Sequence, residues 1–119
     1  MIYNMLGKTN LVISAVGLGG IPLQRLDREK AVETVRYALE RGVNFIDTAR
    51  GYTVSESYIG AALAGGLRGD VVLATKAPPT DRGGMLKEME GSLKDLGTDY
   101  IDLYHVHNVK DCASIDRVF

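Results

Sequence analysis

Residues 71–75, Val71-Val72-Leu73-Ala74-Thr75, decide the fold class of this chain. Three of these five residues are β-branched and none is charged, which predicts a β-strand. Pro78 and Pro79 follow shortly afterwards and close the strand, because proline cannot donate a hydrogen bond to a sheet ladder. Helical patterns flank this strand on both sides, so strands and helices alternate along the chain.

The two helices next to this strand are marked by their end signals. The helix predicted before it covers residues 55–64, with Ser55 as the N-cap and two glycines after its end. The helix predicted after it covers residues 84–96, with Gly97 as its stop. Residues 81–84 between the strand and this second helix are interpreted as a flexible linker.

The remaining segments repeat the pattern. Asp27 is predicted to cap a helix that runs to about Arg41 and stops at Gly42. Further strands are predicted at residues 15–19, 44–47 and 100–107, after a hairpin formed by residues 2–5 and 11–14. Residues 111–119 are interpreted as the start of another helix.

The four longer strands start at regular intervals. They begin at Ala15, Asn44, Val71 and Tyr100, which are 29, 27 and 29 residues apart. Such spacing is typical of successive βα units of about 30 residues, which pair their strands in parallel. An open doubly wound sheet and a TIM-type barrel both satisfy the pattern. No Gly-x-Gly-x-x-Gly sequence follows the first strand, which disfavours a Rossmann sheet.

Composition excludes several classes of partner. The net charge of −1 gives no bulk attraction to nucleic acid or to an anionic membrane surface. No stretch approaches the roughly 20 apolar residues that a membrane-spanning helix needs, and the N-terminus does not resemble a signal peptide. Cys112 is the only cysteine, which fits a reducing compartment, and we expect a cytoplasmic location.

Four residues form a candidate active site: Asp47, Tyr52, Lys76 and His107. Each alone has an ordinary structural interpretation, as a cap, a packing aromatic, a solvated strand end or a structural histidine. Together they fall at the carboxyl ends of three consecutive predicted strands, or in the loops that follow. That end of a βα barrel is where active sites form.

The four side chains also suit one reaction, the reduction of a carbonyl group. The carbonyl carbon needs a hydride and the oxygen needs a proton, and Tyr52 could supply the proton. A nearby ammonium ion such as that of Lys76 favours the phenolate form, and Asp47 could hold the ammonium in place. His107 could donate a hydrogen bond to the substrate oxygen. The hydride must come from a cofactor, because no side chain supplies one.

Three segments resemble the aldo-keto reductase family in the right order. They are Gly42-Val43-Asn44-Phe45-Ile46-Asp47-Thr48-Ala49-Arg50-Gly51-Tyr52-Thr53-Val54-Ser55-Glu56, Leu73-Ala74-Thr75-Lys76 and Asp99-Tyr100-Ile101-Asp102-Leu103-Tyr104-His105-Val106-His107. The resemblance implies a TIM barrel and NADPH-dependent, or NADH-dependent, reduction of small aldehydes and ketones. It implies that Tyr52 is the general acid, with Asp47, Lys76 and His107 as its partners. It also implies that Gly19, Gly20, Ile21 and Asp47 lie against the cofactor.

The chain departs from the family pattern in two ways. Thr53 stands where many members have glycine, and the chain has four βα units where a barrel of eight takes about 250 residues. We therefore expect residues 1–119 to be one partial domain, the N-terminal half of a barrel. The favoured interpretation is a fragment of a larger protein or a truncated gene product. The alternatives are an inactive half barrel that serves only for binding, two copies that self-associate through the open barrel edges, and an open sheet of marginal stability.

His105 and His107 could instead be metal ligands, which is the alternative to a role for His107 in carbonyl reduction. The two histidines form a His-x-His pair on a predicted strand, and alternation would direct both to one face, with His105 one layer below His107. No nearby carboxylate or second cysteine completes a ligand set of known spacing. We therefore predict no metal.

Overall fold

The computed structural model describes all 119 residues, which form six strands, four α-helices and two 3-10 turns. In chain order these are β1 (Tyr3–Met5), β2 (Val12–Ser14), β3 (Leu18–Gly19), a 3-10 turn (Ile21–Arg25), α1 (Arg28–Glu40), β4 (Phe45–Asp47), α2 (Ser55–Leu63), a second 3-10 turn (Leu67–Asp70), β5 (Val72–Ala77), α3 (Arg82–Leu96), β6 (Leu103–Val106) and α4 (Cys112–Asp116). None of the helices is long and apolar enough to cross a membrane.

The predicted parallel sheet is confirmed. Strands β3, β4, β5 and β6 are hydrogen-bonded in chain order and every pair is parallel. In the register, Gly19 lies beside Asp47 and Asp47 beside Ala74, while Lys76 lies beside His105. Strands β3 and β6 are the two edges of this sheet.

The helices cover one face of the sheet. Ile46 of β4 and Leu73 of β5 are fully buried against apolar residues of α1, α2 and α3, which form the main core. Because side chains alternate along a strand, Phe45, Asp47 and Lys76 point to the opposite face. We call it the inner face, because in a TIM-type barrel the helices lie on the outside.

The predicted hairpin is also confirmed, and it closes the amino-terminal end of the sheet. Strands β1 and β2 pair antiparallel. Asn44, just before β4, accepts a hydrogen bond from the Ser14 backbone N–H at 2.6 Å, and its own N–H donates to Ser14 Oγ at 3.0 Å. Tyr3 donates its hydroxyl proton to the Gly42 carbonyl at 2.8 Å. The opposite, carboxyl end of the sheet is left open for a site.

The first and last strands of the sheet are shorter than predicted. Ala15 does not enter β3, because its N–H donates to the Ile2 carbonyl and so extends the hairpin. At the other edge, residues 100–102 precede β6. Asp102 instead turns its carboxylate to the backbone N–H of Leu73 at 2.9 Å and to Arg68 at 2.8 Å.

The predicted helix ends at Asp27 and Gly97 are confirmed, whereas two other assignments near helix starts were wrong. Asp27 caps α1 as predicted, accepting from the Lys30 N–H at 2.8 Å. Ser55 is not a cap: it is the first residue of α2, and its buried hydroxyl donates to the Gly20 carbonyl at 2.9 Å. The flexible linker at residues 81–84 is also wrong, because Asp81 caps α3 through the Gly84 N–H and the helix starts at Arg82.

Candidate active site

An ion pair between Lys76 and Asp47 forms the floor of the candidate site. Lys76, on β5, donates from Nζ to Asp47 Oδ2 at 2.6 Å and to the Thr48 carbonyl at 2.9 Å. The lysine side chain is only 14% exposed, whereas that of Asp47 is 40% exposed. A largely buried ammonium needs partners to offset the water it has lost, and these two oxygens provide them. The Lys76 side chain is therefore fixed in one place.

Tyr52 and His107 lie above this pair. Tyr52 belongs to the loop between β4 and α2, and His107 follows the last residue of β6. Their rings meet edge to face, with centroids 5.9 Å apart and planes at 87°. The Lys76 ammonium lies 5.5 Å from the centroid of the tyrosine ring, within the range of a cation–π contact.

The structure thus brings all four residues together at the carboxyl edge of the sheet. The backbone explains why. The N–H of His107 donates to the Ala77 carbonyl at 2.7 Å, which carries the pairing of β5 and β6 past the end of β6. Tyr52 is held in a turn, since its N–H donates to the Ala49 carbonyl at 3.0 Å and its own carbonyl accepts from Ser55 at 2.9 Å.

The segment assigned to the cofactor lies at the same edge, beside Asp47. The N–H of Gly20 donates to the Asp47 carbonyl at 2.7 Å. A Cβ at Gly20 would lie 2.6 Å from Ser55 Oγ and 2.8 Å from Thr48 Oγ1, so a side chain is excluded there. A Cβ at Gly19 would meet nothing within 4 Å, and Ile21 is 51% exposed. Beside Asp47 the chain therefore has an open glycine, Gly19, and two residues later the exposed aliphatic side chain of Ile21.

His105 does not join this group. It is exposed on the inner face of the sheet, level with Lys76 in the register. No group of three or more histidine, cysteine, aspartate or glutamate side chains is placed to hold a metal ion.

Sequence reasoning missed a second charged cluster directly behind the site, centred on Arg50. Its guanidinium binds Glu56 of α2 at 2.6 Å, and Asp95 and Glu88 of α3 at 2.5 and 3.3 Å. Glu56 is only 2% exposed, and it also accepts a hydrogen bond from Thr75 Oγ1 at 2.7 Å. Burial alone would lower the pKa of Arg50, but the hydrogen bonds to Asp95 and Glu56 hold that pKa above its ordinary value.

The signal for this cluster was weak in the sequence. Arg50 and Glu56 are six residues apart, and Asp95 is 45 residues from Arg50, so no helical or strand period links them. The one available cue was a charged residue, Arg50, inside the short loop that carries Tyr52.

Comparison with known proteins identifies the family. The Aldo/keto reductase family model matches residues 15–119. Aldo-keto reductase YhdN of Bacillus subtilis is 38% identical over 90% of this chain, and the NADH-specific methylglyoxal reductase of Escherichia coli is 35% identical over 86% of it. The holo form of aldo-keto reductase AKR11C1 from Bacillus halodurans superposes with a TM-score of 0.91 at 32% identity, over 99% of this chain. The chain belongs to the aldo/keto reductase family.

The matches also confirm the fold class. The four-stranded parallel sheet of this chain and its helices correspond to part of the barrel of those enzymes. The chain spans 38% of YhdN, 40% of the methylglyoxal reductase and 44% of AKR11C1.

Proposed function

We propose that this chain carries the acid–base machinery of an NAD(P)H-dependent reductase that converts small aldehydes and ketones to alcohols. The observation that carries the proposal is the meeting of the Tyr52 ring, the His107 ring and the Lys76 ammonium around one point. A carbonyl group placed there would face a proton donor, a hydrogen-bond donor and a fixed positive charge.

Each side chain has a distinct role in this proposal. Tyr52 gives its proton to the carbonyl oxygen. The Lys76 ammonium stabilises the phenolate that remains, and Asp47 together with the Thr48 carbonyl keeps that ammonium within reach of the ring. His107 donates to the same substrate oxygen and sets its orientation.

The cofactor would be NADPH or NADH, held at its nicotinamide end by Gly19, Gly20, Ile21 and Asp47. When bound, it supplies the hydride that adds to the carbonyl carbon. The open backbone of Gly19 and the exposed face of Ile21 support this placement. A cytoplasmic location, where nicotinamide cofactors are available, belongs to the same proposal, and the free, exposed thiol of Cys112 supports it.

The test is a substitution of Tyr52 in the 119-residue chain. Wild-type chain should bind NADPH or NADH and oxidise it with a panel of aldehydes. Tyr52→Phe should lower kcat by about 100-fold or more, since general acid catalysis contributes about that much, with cofactor affinity unchanged. Tyr37→Phe, at an exposed tyrosine on α1, is the matched control and should keep full activity. Full turnover by Tyr52→Phe would reject the assigned role.

One observation favours a second candidate, a binding domain without catalysis. Both edge strands of the sheet, β3 and β6, have a free side on which another copy of the chain could pair. Native mass spectrometry beside the cofactor titration separates the two candidates. A dimer with no affinity for either nicotinamide cofactor would favour self-association over reduction.

A further inference from the structure

We propose that Arg50 is a positioning residue that sets the orientation of Tyr52, through its ion pairs with two helices. The inference rests on the proposed function for its catalytic meaning. Its structural part is independent of that function: contacts within the chain indicate that Arg50 controls how the Tyr52 ring meets the His107 ring.

Arg50 and Tyr52 are parts of one short, hydrogen-bonded loop. The N–H of Arg50 donates to the Lys76 carbonyl at 3.0 Å, so the loop is tied to β5 at the residue that carries the ammonium. The turn that closes from Tyr52 back to Ala49 spans Arg50, and α2 begins three residues after Tyr52. Because the backbone between Arg50 and Tyr52 is held in this turn, a movement of Arg50 also moves Tyr52.

The side chain of Arg50 is anchored at several points away from the loop. Nη1 binds Glu56 and Asp95, and Nε binds Glu88, so α2 and α3 are both held to the loop. The guanidinium lies over Gly91, where a Cβ would be 3.1 Å from Nη2. Helix α3 thus carries its smallest residue where the arginine crosses it.

The buried partner, Glu56, is fixed in its own right. Its second carboxylate oxygen accepts from Thr75 Oγ1, and Thr75 is the neighbour of Lys76 on β5. Thr75 faces the helices while Lys76 faces the site, because adjacent strand residues point to opposite faces. The Arg50 cluster and the candidate catalytic group therefore share one stretch of β5, and the cluster forms the back wall of the site.

Loss of an ion pair that only stabilises the fold should have a different effect from loss of Arg50. Arg68 provides the comparison, since it is also poorly exposed, binds Asp102 at 2.8 Å and stacks on Tyr100 at 3.8 Å. Asp102 precedes β6, at the amino-terminal end of the sheet and away from Tyr52. Loss of Arg68 should lower stability without altering the contact between Tyr52 and His107.

The experiment measures that contact by NMR in the 119-residue chain, with neither cofactor nor substrate present. Wild type should show a nuclear Overhauser effect between the Tyr52 and His107 ring protons. Arg50→Met should reduce its intensity at least threefold, Arg50→Lys should retain an intermediate intensity, and Arg68→Met should leave it unchanged. Wild-type intensity in Arg50→Met, or an equal loss in Arg68→Met, would overturn the proposal.

The dispersion of the other amide signals in the same spectra shows whether each variant is folded. If Arg50→Met loses its dispersed spectrum, Arg50→Lys decides, since it keeps a positive charge beside Glu56 but cannot bind three carboxylates at once. An undiminished ring contact in that variant overturns the proposal, and a reduced one supports it. Full turnover by Tyr52→Phe beside an intact ring contact in wild type would reject the proposed function alone, because the NMR readout does not depend on turnover.

Discussion

Thr53, the residue after the candidate acid, occupies a backbone conformation that a β-branched residue rarely adopts. Its φ is +46°, in the left-handed region. Many aldo-keto reductases have glycine at this position, and the positive φ gives the physical reason, because glycine adopts it without strain. Here the side chain gains a partner instead: Thr53 Oγ1 donates to Gln24 Oε1 at 3.1 Å, linking the Tyr52 loop to the 3-10 turn after β3.

Replacing Thr53 with asparagine should relieve this strain. Asparagine tolerates a left-handed conformation, so we expect Thr53→Asn to raise the free energy of unfolding by about 1 kcal/mol in urea titrations. The chain offers the reverse change as a control. Asn108 already has a φ of +57°, and Asn108→Thr should lower stability by a similar amount. Unchanged stability in both variants would show that neither backbone is strained in solution.

At the scale of elements, α2 and α3 come into close backbone contact at Gly60. A Cβ there would lie 2.7 Å from the carbonyl oxygens of Asp95 and Leu96. These are backbone atoms at the end of α3, which cannot turn aside as a flexible side chain could. The absence of a side chain at Gly60 therefore lets the two helices approach, and that approach places Asp95 within reach of Arg50.

Gly60→Ala should consequently destabilise the chain although alanine is the better helix former. The steric cost of overpacking is about 1–3 kcal/mol, which exceeds the roughly 1 kcal/mol that alanine gains in helix propensity. Gly83→Ala in α3 is the control, because its Cβ would meet only Asp81 Oδ1 at 3.6 Å. That variant should be as stable as wild type or slightly more so. Chemical denaturation of both proteins tests the difference, and a stabilised Gly60→Ala would contradict the packing argument.

At the scale of the whole molecule, stability should depend on pH through Tyr104 of β6. This phenol faces α3, and burial, followed by the negative charges of Glu88 and Glu56, raises its pKa from 10.0 to about 12. The folded chain thus favours the neutral phenol more than the unfolded chain does. The resulting contribution to stability is complete below pH 10 and is lost as the pH rises through about 12.

Tyr104→Phe isolates this contribution, because phenylalanine keeps the ring and cannot ionise. Wild type and variant should lose stability at different rates between pH 10 and 12, with the steeper loss in wild type. Urea unfolding at several pH values in that window measures the difference. Parallel curves for the two proteins would show that Tyr104 titrates alike in the folded and unfolded chains.

Most of the fold could be read from local patterns. The β-branched run at residues 71–75, the cap at Asp27 and the left-handed Gly97 act through neighbouring backbone atoms, so each predicts its own element. Chain order then fixed the parallel sheet, since strands joined through helices pair in parallel. The same logic predicted that Asp47, Tyr52, Lys76 and His107 share one edge, because each follows or ends a strand.

Tertiary structure alone decided which polar groups are buried and what they bind. Ser55 has the sequence context of a cap, yet its hydroxyl bonds to Gly20, 35 residues earlier. Arg50 has no periodic partner, yet it gathers carboxylates from two helices. Sequence patterns record the periods of helices and strands, which repeat every few residues. Contacts between distant residues depend instead on how the elements pack, and only the folded chain specifies that.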